Sequence, residues 1–338
     1  MRWLRRRPKP HAVPNPPRVA DAAPGAAPAS ADALLRRLEW TVLRRLDGLL
    51  QGDVRTLMRG SGLDLADLRE YQAHDDVRHI DWNVTARLGA PHVRVFTEDR
   101  ETTAWFLLDL SGSVDFGSGQ RRKREVLAEF TAVLARLLTR RGNRVGALLY
   151  GNGVERVIPP GASRAHVLRL LHAIGQRTPD AGNGPATATH LADLLQAAGR
   201  LIRRRSAVFV VSDFISTPGW ERPLGQLALR HDTLAVRVLD PLERELPDLG
   251  LLTLRDLESG EQQLVDTHDP RFRQRFAQLA AERESALRDA LARAGVDALE
   301  LSTADEPTRA ILRFVQLRQR RARLATGGAL PAHLQRSI

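Results

Sequence analysis

The sequence predicts an α/β protein, with a mostly parallel sheet covered by helices on both faces and a small segment appended before it. From Thr102 onward, short apolar runs alternate with longer stretches of helical periodicity, and this alternation is missing from the chain before that point. Such a rhythm is typical of parallel sheets because parallel strands need a crossover connection between them. In addition, two apolar runs, "FLLD" and "VVSD", lead directly into an aspartate.

Each predicted element is assigned from its periodicity. Apolar runs of strand length predict strands at Thr103–Leu108, Val145–Tyr150, Ala207–Ser212, Thr233–Leu239 and Ala298–Ser302. Apolar residues at helical spacing predict helices around Arg124–Arg140, Ala165–Ile174, Leu191–Arg203, Arg271–Arg293 and Pro307–Arg320. The stretch "VERVIPPG" follows a Gly-Asn-Gly turn and is expected to be a short antiparallel strand. A second hairpin is predicted within "LLTLRDLESGEQQLVD".

The domain boundaries follow from shifts in composition. Residues 1–31 are rich in Pro and Ala and predict a disordered basic tail. Residues 32–100 are predicted to hold an N-terminal amphipathic helix, with leucines recurring from Leu34 to Leu50, and an appended segment. The α/β domain is assigned to residues 101–323 and a mobile tail to residues 324–338.

The formal net charge of +11 is concentrated at the two ends of the chain. Residues 1–31 and residues 316–338 each carry a net charge of +5, which leaves residues 32–315 almost neutral. We therefore expect the basicity to belong to the tails and not to a folded face. Basic tails of this kind bind membrane surfaces or RNA without specificity, and this remains an alternative to a simply solvated tail.

Several classes of protein are excluded by composition. The chain has no cysteine, which excludes disulfides and thiolate metal sites. No window approaches 18 uninterrupted apolar residues, so no transmembrane segment is predicted, and the basic start is not followed by the apolar stretch of a secretory signal. The expected localisation is cytoplasmic. No G-x-x-x-x-G-K-[ST] loop occurs, so any ATPase activity must belong to a partner.

Polar side chains follow two of the predicted strands and begin one helix. Asp109, Ser111 and Ser113 lie in "DLSGS", Asp213 ends "VFVVSD", and Thr189 stands at the start of a helix. In open α/β sheets, ligands bind beyond the carboxyl ends of the strands, where these residues are expected to converge. Carboxylate and hydroxyl oxygens form a hard site suited to Mg²⁺ or Mn²⁺.

These residues resemble the metal-ion-dependent adhesion site of von Willebrand factor type A domains, D-x-S-x-S…T…D. The resemblance implies that Asp109, Ser111, Ser113, Thr189 and Asp213 hold the metal directly, through water or by support of the ligands. Thr187, two residues before Thr189, is an alternative for the threonine. An ion held largely by hydroxyls stays electrophilic and can accept a carboxylate from a partner.

A second resemblance covers more of the chain. The stretch from "LADLREYQ" to "FLLDLSGS", together with "DPLERELPDLG", is similar to domain-of-unknown-function family 58, from about Gly60 to about Ser302. Members of this bacterial family are associated with MoxR-type AAA+ ATPases, which are thought to act as chaperones. The resemblance implies a non-catalytic, metal-dependent adaptor that joins a MoxR-type ATPase to a client protein offering an acidic residue, without specific nucleic-acid binding.

Two further interpretations remain open. The first is a Mg²⁺- or Mn²⁺-dependent hydrolase. Two specific versions of it lack a required residue: Ser111 stands where a haloacid-dehalogenase-type site has its second acid, and the first glycine of a Gly-x-Ser-x-Gly nucleophile elbow is missing. The second concerns "HDDVRHIDW", whose crowded His and Asp residues admit a metal or hydrolytic site. For that segment a structural cluster is favoured, which fastens it to the sheet domain and is made of Arg78, Asp81, Trp82 and Arg87.

Overall fold

The computed structural model describes residues 31–38, 67–72, 77, 80–95, 103–176, 189–255, 262–307, 309–313 and 316 of the 338-residue chain. The two predicted tails, Thr187 and most of the helix predicted to end at Leu50 lie outside these ranges. Arg78, which was predicted to belong to the structural cluster, also lies outside them.

A six-stranded sheet forms the centre of the described structure. Its strands are β3 (Thr103–Asp109), β4 (Arg144–Tyr150), β5 (Val154–Gly161), β6 (Ala207–Ser212), β7 (Asp232–Leu239) and β10 (Asp297–Ser302). They lie in the order β10-β7-β6-β3-β4-β5, and all neighbours are parallel except the edge pair β4 and β5. This is the strand order of doubly wound α/β folds, with one antiparallel strand at an edge.

Helices cover both faces of this sheet. They are α1 (Ala31–Leu38), α3 (Lys123–Arg140), α4 (Arg164–Gly175), α5 (Leu191–Leu201), α6 (Glu221–Arg230) and α7 (Pro270–Arg293), and a further short helix, α2 (Trp82–Leu88), contributes no residue to the two cores. Alternate residues of β3 point to opposite faces: Phe106 and Leu108 pack in the core shared with α1, α3 and α4, whereas Trp105 and Leu107 pack in the core shared with α5, α6 and α7. Burial on both faces explains why the central strands are continuous apolar runs.

Two small antiparallel hairpins complete the described sheets. β1 (Asp67–Glu70) pairs with β2 (His92–Val95), and β8 (Leu251–Arg255) pairs with β9 (Gln262–Asp266). Asp81 caps α2 by accepting the backbone amides of Asn83 at 3.0 Å and Val84 at 3.2 Å. Trp82, the first residue of α2, is 70% exposed, so it does not fasten the "HDDVRHIDW" segment to the sheet domain by burial.

The α/β architecture predicted from periodicity is confirmed, including the antiparallel strand after the Gly-Asn-Gly turn and the second hairpin. The five predicted parallel strands are each found within one residue of the predicted ends. The sequence prediction did not assign α6, which contains Pro223 and Gly225. Pro223 is tolerated because it lies in the first turn, where the missing backbone amide has no intrahelical acceptor.

Among the helices of the described residues, none is long and apolar enough to cross a membrane.

Candidate functional site

The topology places the predicted site residues at one edge of the sheet. After β3 the chain adds β4 and β5 on one side of β3. It then adds β6, β7 and β10 on the other side, so the direction in which strands are added reverses between β3 and β6. The sheet therefore has its switch point between β3 and β6, where open α/β folds bind ligands. Asp109 is the last residue of β3 and Asp213 follows the last residue of β6, so both aspartates lie at this switch point. We call this side of the sheet the carboxyl edge.

Asp109 is fully buried at the carboxyl edge. Its Oδ1 accepts the backbone amide of Ser111 at 3.0 Å, and its Oδ2 accepts the hydroxyl of Ser212 at 2.7 Å. Burial and then the charge of Asp213 raise the pKa of the Asp109 carboxyl to about 6, against the lowering effect of the hydrogen bonds from Ser212 and Ser111. The negative charge of Asp109 is therefore poorly compensated by its surroundings.

The two predicted serines lie beside this carboxylate. Ser111 and Ser113 are both buried, and their hydroxyl oxygens are 3.2 Å apart. Ser111 immediately precedes a 3-10 turn, Gly112–Asp115, which brings Ser113 back beside it. Two ligands on neighbouring corners of an octahedral Mg²⁺ at about 2.1 Å stand about 3 Å apart, so this spacing is compatible with joint coordination.

Thr189 is 2% exposed and lies at the same edge. Its carbonyl accepts the backbone amide of Thr217 at 3.0 Å and the hydroxyl of Ser216 at 2.9 Å, which ties it to the loop that follows Asp213. The next residue, His190, donates its amide to the hydroxyl of Tyr150 at the end of β4. These bonds hold Thr189 between the ends of β4 and β6, whereas Thr187 lies outside the described residues.

Asp213 carries an ion pair that the sequence analysis did not anticipate. Lys123, the first residue of α3, is 1% exposed, and its Nζ lies 2.7 Å from Asp213 Oδ2 and 2.5 Å from Glu243 Oε1. Burial lowers the pKa of the Lys123 amine, but the two carboxylates outweigh burial and raise it above its ordinary value. The other oxygen of Asp213 accepts the amide of Ile215 at 3.0 Å. The Asp213 charge is therefore already balanced within the chain.

A third strand-end aspartate was also missed. Asp240 follows β7 and is fully buried. It accepts four hydrogen bonds: from the amide of Ser118 at 2.9 Å, the hydroxyl of Ser118 at 2.6 Å, the amide of Leu242 at 3.0 Å and the hydroxyl of Thr303 at 2.6 Å. Burial raises the pKa of the Asp240 carboxyl, but these bonds together hold it below its ordinary value.

Part of this cluster could have been found from the sequence. Asp240 in "VRVLDPLE" directly follows a buried strand, as Asp109 and Asp213 do, and that shared position was the available signal. Lys123 lies among three arginines in "GQRRKRE". No local pattern distinguishes this buried ammonium from its neighbours.

The structure brings Asp109, Ser111 and Ser113 into contact, with the charge of Asp213 near Asp109 and Thr189 at the same edge of the sheet. Their oxygens fit a hard divalent cation better than a zinc ion. Among the residues that the structure describes, no three His, Cys, Asp or Glu side chains are grouped to hold a metal. A metal here would instead be held by hydroxyl oxygens together with Asp109, whose buried charge lacks a compensating cation of its own. Such oxygen ligands are typical of Mg²⁺ and Mn²⁺.

The strand order and the Asp-x-Ser-x-Ser turn at the switch point define a von Willebrand factor type A-like domain. The chain belongs to the family described as Protein of unknown function DUF58, which matches residues 67–286. The uncharacterized protein Rv1480 of Mycobacterium tuberculosis is 38% identical over 301 residues, which cover 89% of this chain and 92% of that protein. The uncharacterized protein MAV169 of Mycobacterium avium is 36% identical over 165 residues, covering 49% of this chain and 95% of its own.

Two solved structures are similar to this chain at a lower level. BatB from Bacteroides thetaiotaomicron is 13% identical, with a TM-score of 0.41, over 65% of this chain and 99% of its own. The SpRpn10 VWA domain is 14% identical, with a TM-score of 0.34, over 63% of this chain and 94% of its own. The fold assignment rests on the topology and the site described above.

Proposed function

We propose that this protein is a metal-dependent adaptor, which binds Mg²⁺ or Mn²⁺ at the carboxyl edge and presents a client protein to a MoxR-type AAA+ ATPase without performing chemistry itself. The observation that carries this proposal is the position of Asp109, Ser111 and Ser113 together at the switch point of the sheet, with both serine hydroxyls turned to one another.

The charge balance of the carboxyl edge supports a bound cation. Among the described contacts, the buried ammonium of Lys123 pairs with Asp213 and Glu243, whereas Asp109 accepts hydrogen bonds and has no ion pair. Burying an uncompensated carboxylate is costly, and a divalent cation would offset the charge of Asp109. The proposed ion therefore also contributes to the stability of this edge.

The chain's residues divide into ligands and supports in this proposal. Asp109, Ser111, Ser113 and Thr189 would hold the ion. Asp213 already accepts hydrogen bonds from the Lys123 ammonium and the Ile215 amide. It would therefore position the ligands and not coordinate the ion directly. When bound, the ion supplies an electrophile that accepts an aspartate or glutamate of the client.

The proposed partner follows from the family and from the sequence. The chain has no P-loop, so ATP hydrolysis would belong to another protein. The resemblance to a family associated with MoxR-type ATPases supports such an ATPase as the partner. The absence of a paired acid or of a nucleophile elbow next to Ser111 supports a binding role over hydrolysis.

The test is binding of the cognate ATPase or client, measured with Mg²⁺, with EDTA, and with Ser111 and Ser113 both changed to Ala. Loss of a charge-assisted contact to the ion should weaken binding by about tenfold to a thousandfold, or about 1.4 to 4 kcal/mol. Equal affinity under all three conditions would remove the metal from the proposal. The matched control is Ser163→Ala, which deletes a serine that caps α4.

An assay of generic phosphoester hydrolysis with Mg²⁺ or Mn²⁺ distinguishes the adaptor from the hydrolase. We expect no turnover above that of the Asp109→Ala variant. Metal-dependent turnover that disappears in this variant would instead establish the hydrolase.

A further inference from the structure

The edge of the central sheet opposite the carboxyl edge is lined with exposed arginines. The strand register aligns Arg144 with the start of β3, and aligns Ala207 with both β3 and the start of β7. At about 4.8 Å between strands, the loops before β4, β6 and β7 lie within about 15 Å of one another. We call these loops and the last turns of α5 and α6 the amino edge, whose exposed arginines are Arg140, Arg141, Arg144, Arg200, Arg203, Arg204, Arg205 and Arg230.

The acidic residues of these three loops do not balance this charge. Within residues 139–144, 200–206 and 229–232 the single acid is Asp232, which is partly buried. Residues 97–101, which precede β3 and contain three acids, lie outside the described residues. The near-neutral total of residues 32–315 thus includes a local group of exposed arginines at this edge of the sheet, which the charge count by segment did not predict.

Helix capping explains part of this arrangement but not all of it. Arg200 and Arg230 lie in the last turns of α5 and α6, where basic residues interact favourably with the helix dipole. Arg203, Arg204 and Arg205 follow the end of α5, are all exposed, and form no ion pair with another described residue. Their charge is directed to solvent, so it is available to a partner.

Two leucines are exposed among these arginines. Leu229 is 88% exposed and Leu201 is 42% exposed. They end two helices that pack on each other, and Arg230 Nη1 donates to the carbonyl of Gly199 at 3.1 Å, which fixes these helix ends together. The amino edge therefore presents apolar side chains surrounded by cationic ones.

We propose that the amino edge binds an anionic lipid surface. The arginines would contact the lipid phosphates, and Leu229 and Leu201 would enter the boundary between head groups and acyl chains, as the apolar side chains of interfacial protein segments do. Nucleic acid also attracts arginines, but it gives no favourable place to an exposed leucine. In the described residues of this edge no exposed aromatic side chain is present for base stacking.

Binding of the full-length protein to vesicles tests this proposal. The vesicles consist of phosphatidylcholine with or without phosphatidylglycerol, and binding is measured by co-sedimentation at fixed salt. A basic side chain near an anionic surface contributes on the order of fivefold in affinity, so the change of Arg203, Arg204 and Arg205 to Gln should weaken binding by on the order of 100-fold. Leu229→Ser should weaken it by about tenfold because the inserted side chain is lost.

A variant with an equal charge change in the N-terminal tail is the matched control, with Arg5, Arg6 and Arg7 changed to Gln. It should lose less than about fivefold in vesicle affinity. The proposal is overturned if the tail variant loses as much as the amino-edge variant, or if neither changes. A second result would also overturn it. If Leu229→Ser binds vesicles like the wild type, and the amino-edge variant loses vesicle binding and single-stranded oligonucleotide binding equally, the surface recognises polyanions of any kind.

Discussion

Two buried aspartates at the carboxyl edge, Asp109 and Asp240, have the same position in the fold and opposite electrostatic surroundings. Both follow apolar strands and both are fully buried. The four hydrogen bonds to Asp240 hold the pKa of its carboxyl below the ordinary value, whereas burial and the charge of Asp213 raise the pKa of Asp109 to about 6. Position at the end of a strand therefore does not make a carboxylate a metal ligand.

The two aspartates differ in the number and origin of the groups that donate hydrogen bonds to them. Asp240 collects its donors from three separate parts of the chain, through Ser118, Leu242 and Thr303, and so joins the ends of β7 and β10 to the loop after β3. Asp109 sits beside hydroxyls, which can donate to a carboxylate or turn their lone pairs to a cation. Asp240 is suited to a structural role, and Asp109 is left with a charge that an ion can satisfy.

The largest effect on stability is expected from removing the ammonium of Lys123, which pairs with Asp213 and leaves Asp109 without an ion pair. Lys123→Met should lower the free energy of unfolding by about 3 to 5 kcal/mol, since removing one partner of a buried ion pair leaves its carboxylates uncompensated. Urea denaturation in EDTA measures the loss. Arg203→Met, at an exposed position, is the control and should change stability by less than about 0.5 kcal/mol.

The same variant should respond more strongly to metal than the wild type. Without the ammonium, the carboxyl edge is more negative, and Mg²⁺ or Mn²⁺ should restore part of the lost stability by binding the folded state. An equal metal-induced shift of the unfolding midpoint in both proteins would show that Lys123 and the ion do not share this cluster.

The second prediction separates the two aspartates by metal binding. Asp109→Ala should reduce the affinity for Mg²⁺ or Mn²⁺ at least a hundredfold, about 2.7 kcal/mol, because it removes the charged ligand of the proposed site. Calorimetric titration measures this affinity, and Asp240→Asn should titrate like the wild type. If the two variants lose affinity equally, the ion does not distinguish Asp109 from Asp240.

The third prediction concerns the threonine of the site. Thr189→Val keeps the shape of the side chain and removes its hydroxyl, so it should weaken metal binding by about fivefold to tenfold, the equivalent of about 1 to 1.4 kcal/mol for one neutral oxygen ligand. Thr187→Val is the paired variant and should leave the same titration unchanged. The reverse result would assign the ligand to Thr187.

The contrast between these two aspartates also shows what the sequence could reveal. Apolar runs on both faces of the sheet made the parallel strands predictable, and the Asp-x-Ser-x-Ser spacing located Asp109, Ser111 and Ser113. Lys123 could not be recognised because its burial depends on Asp213 and Glu243, which lie 90 and 120 residues away in the chain. The amino edge was missed for a similar reason, since its arginines come from loops whose proximity depends on strand order and not on local composition.

The final prediction compares the effects of the two aspartates on stability as pH changes. In EDTA, Asp240→Asn should lower the free energy of unfolding at pH 7 by about 2 kcal/mol, because an amide cannot accept all four hydrogen bonds. Because the pKa of Asp240 is lower in the folded state than in the unfolded state, its carboxylate stabilises the fold at pH values above the unfolded pKa. This contribution is lost as pH falls through the folded pKa, so the variant and the wild type should converge in acid.

Asp109→Asn should act in the opposite direction. Because the folded pKa of Asp109 is about 6, the folded state takes up a proton as pH falls towards 4, and the ionised carboxylate costs stability at pH 7. Asp109→Asn should therefore be about 1 to 2 kcal/mol more stable than the wild type at pH 7, and this gain should vanish near pH 4. Urea unfolding at pH 4, 5, 6 and 7 measures both differences. A loss of stability at pH 7 in both variants would mean that Asp109 is as well satisfied by the protein as Asp240 is, and would remove the electrostatic reason for a metal at this edge.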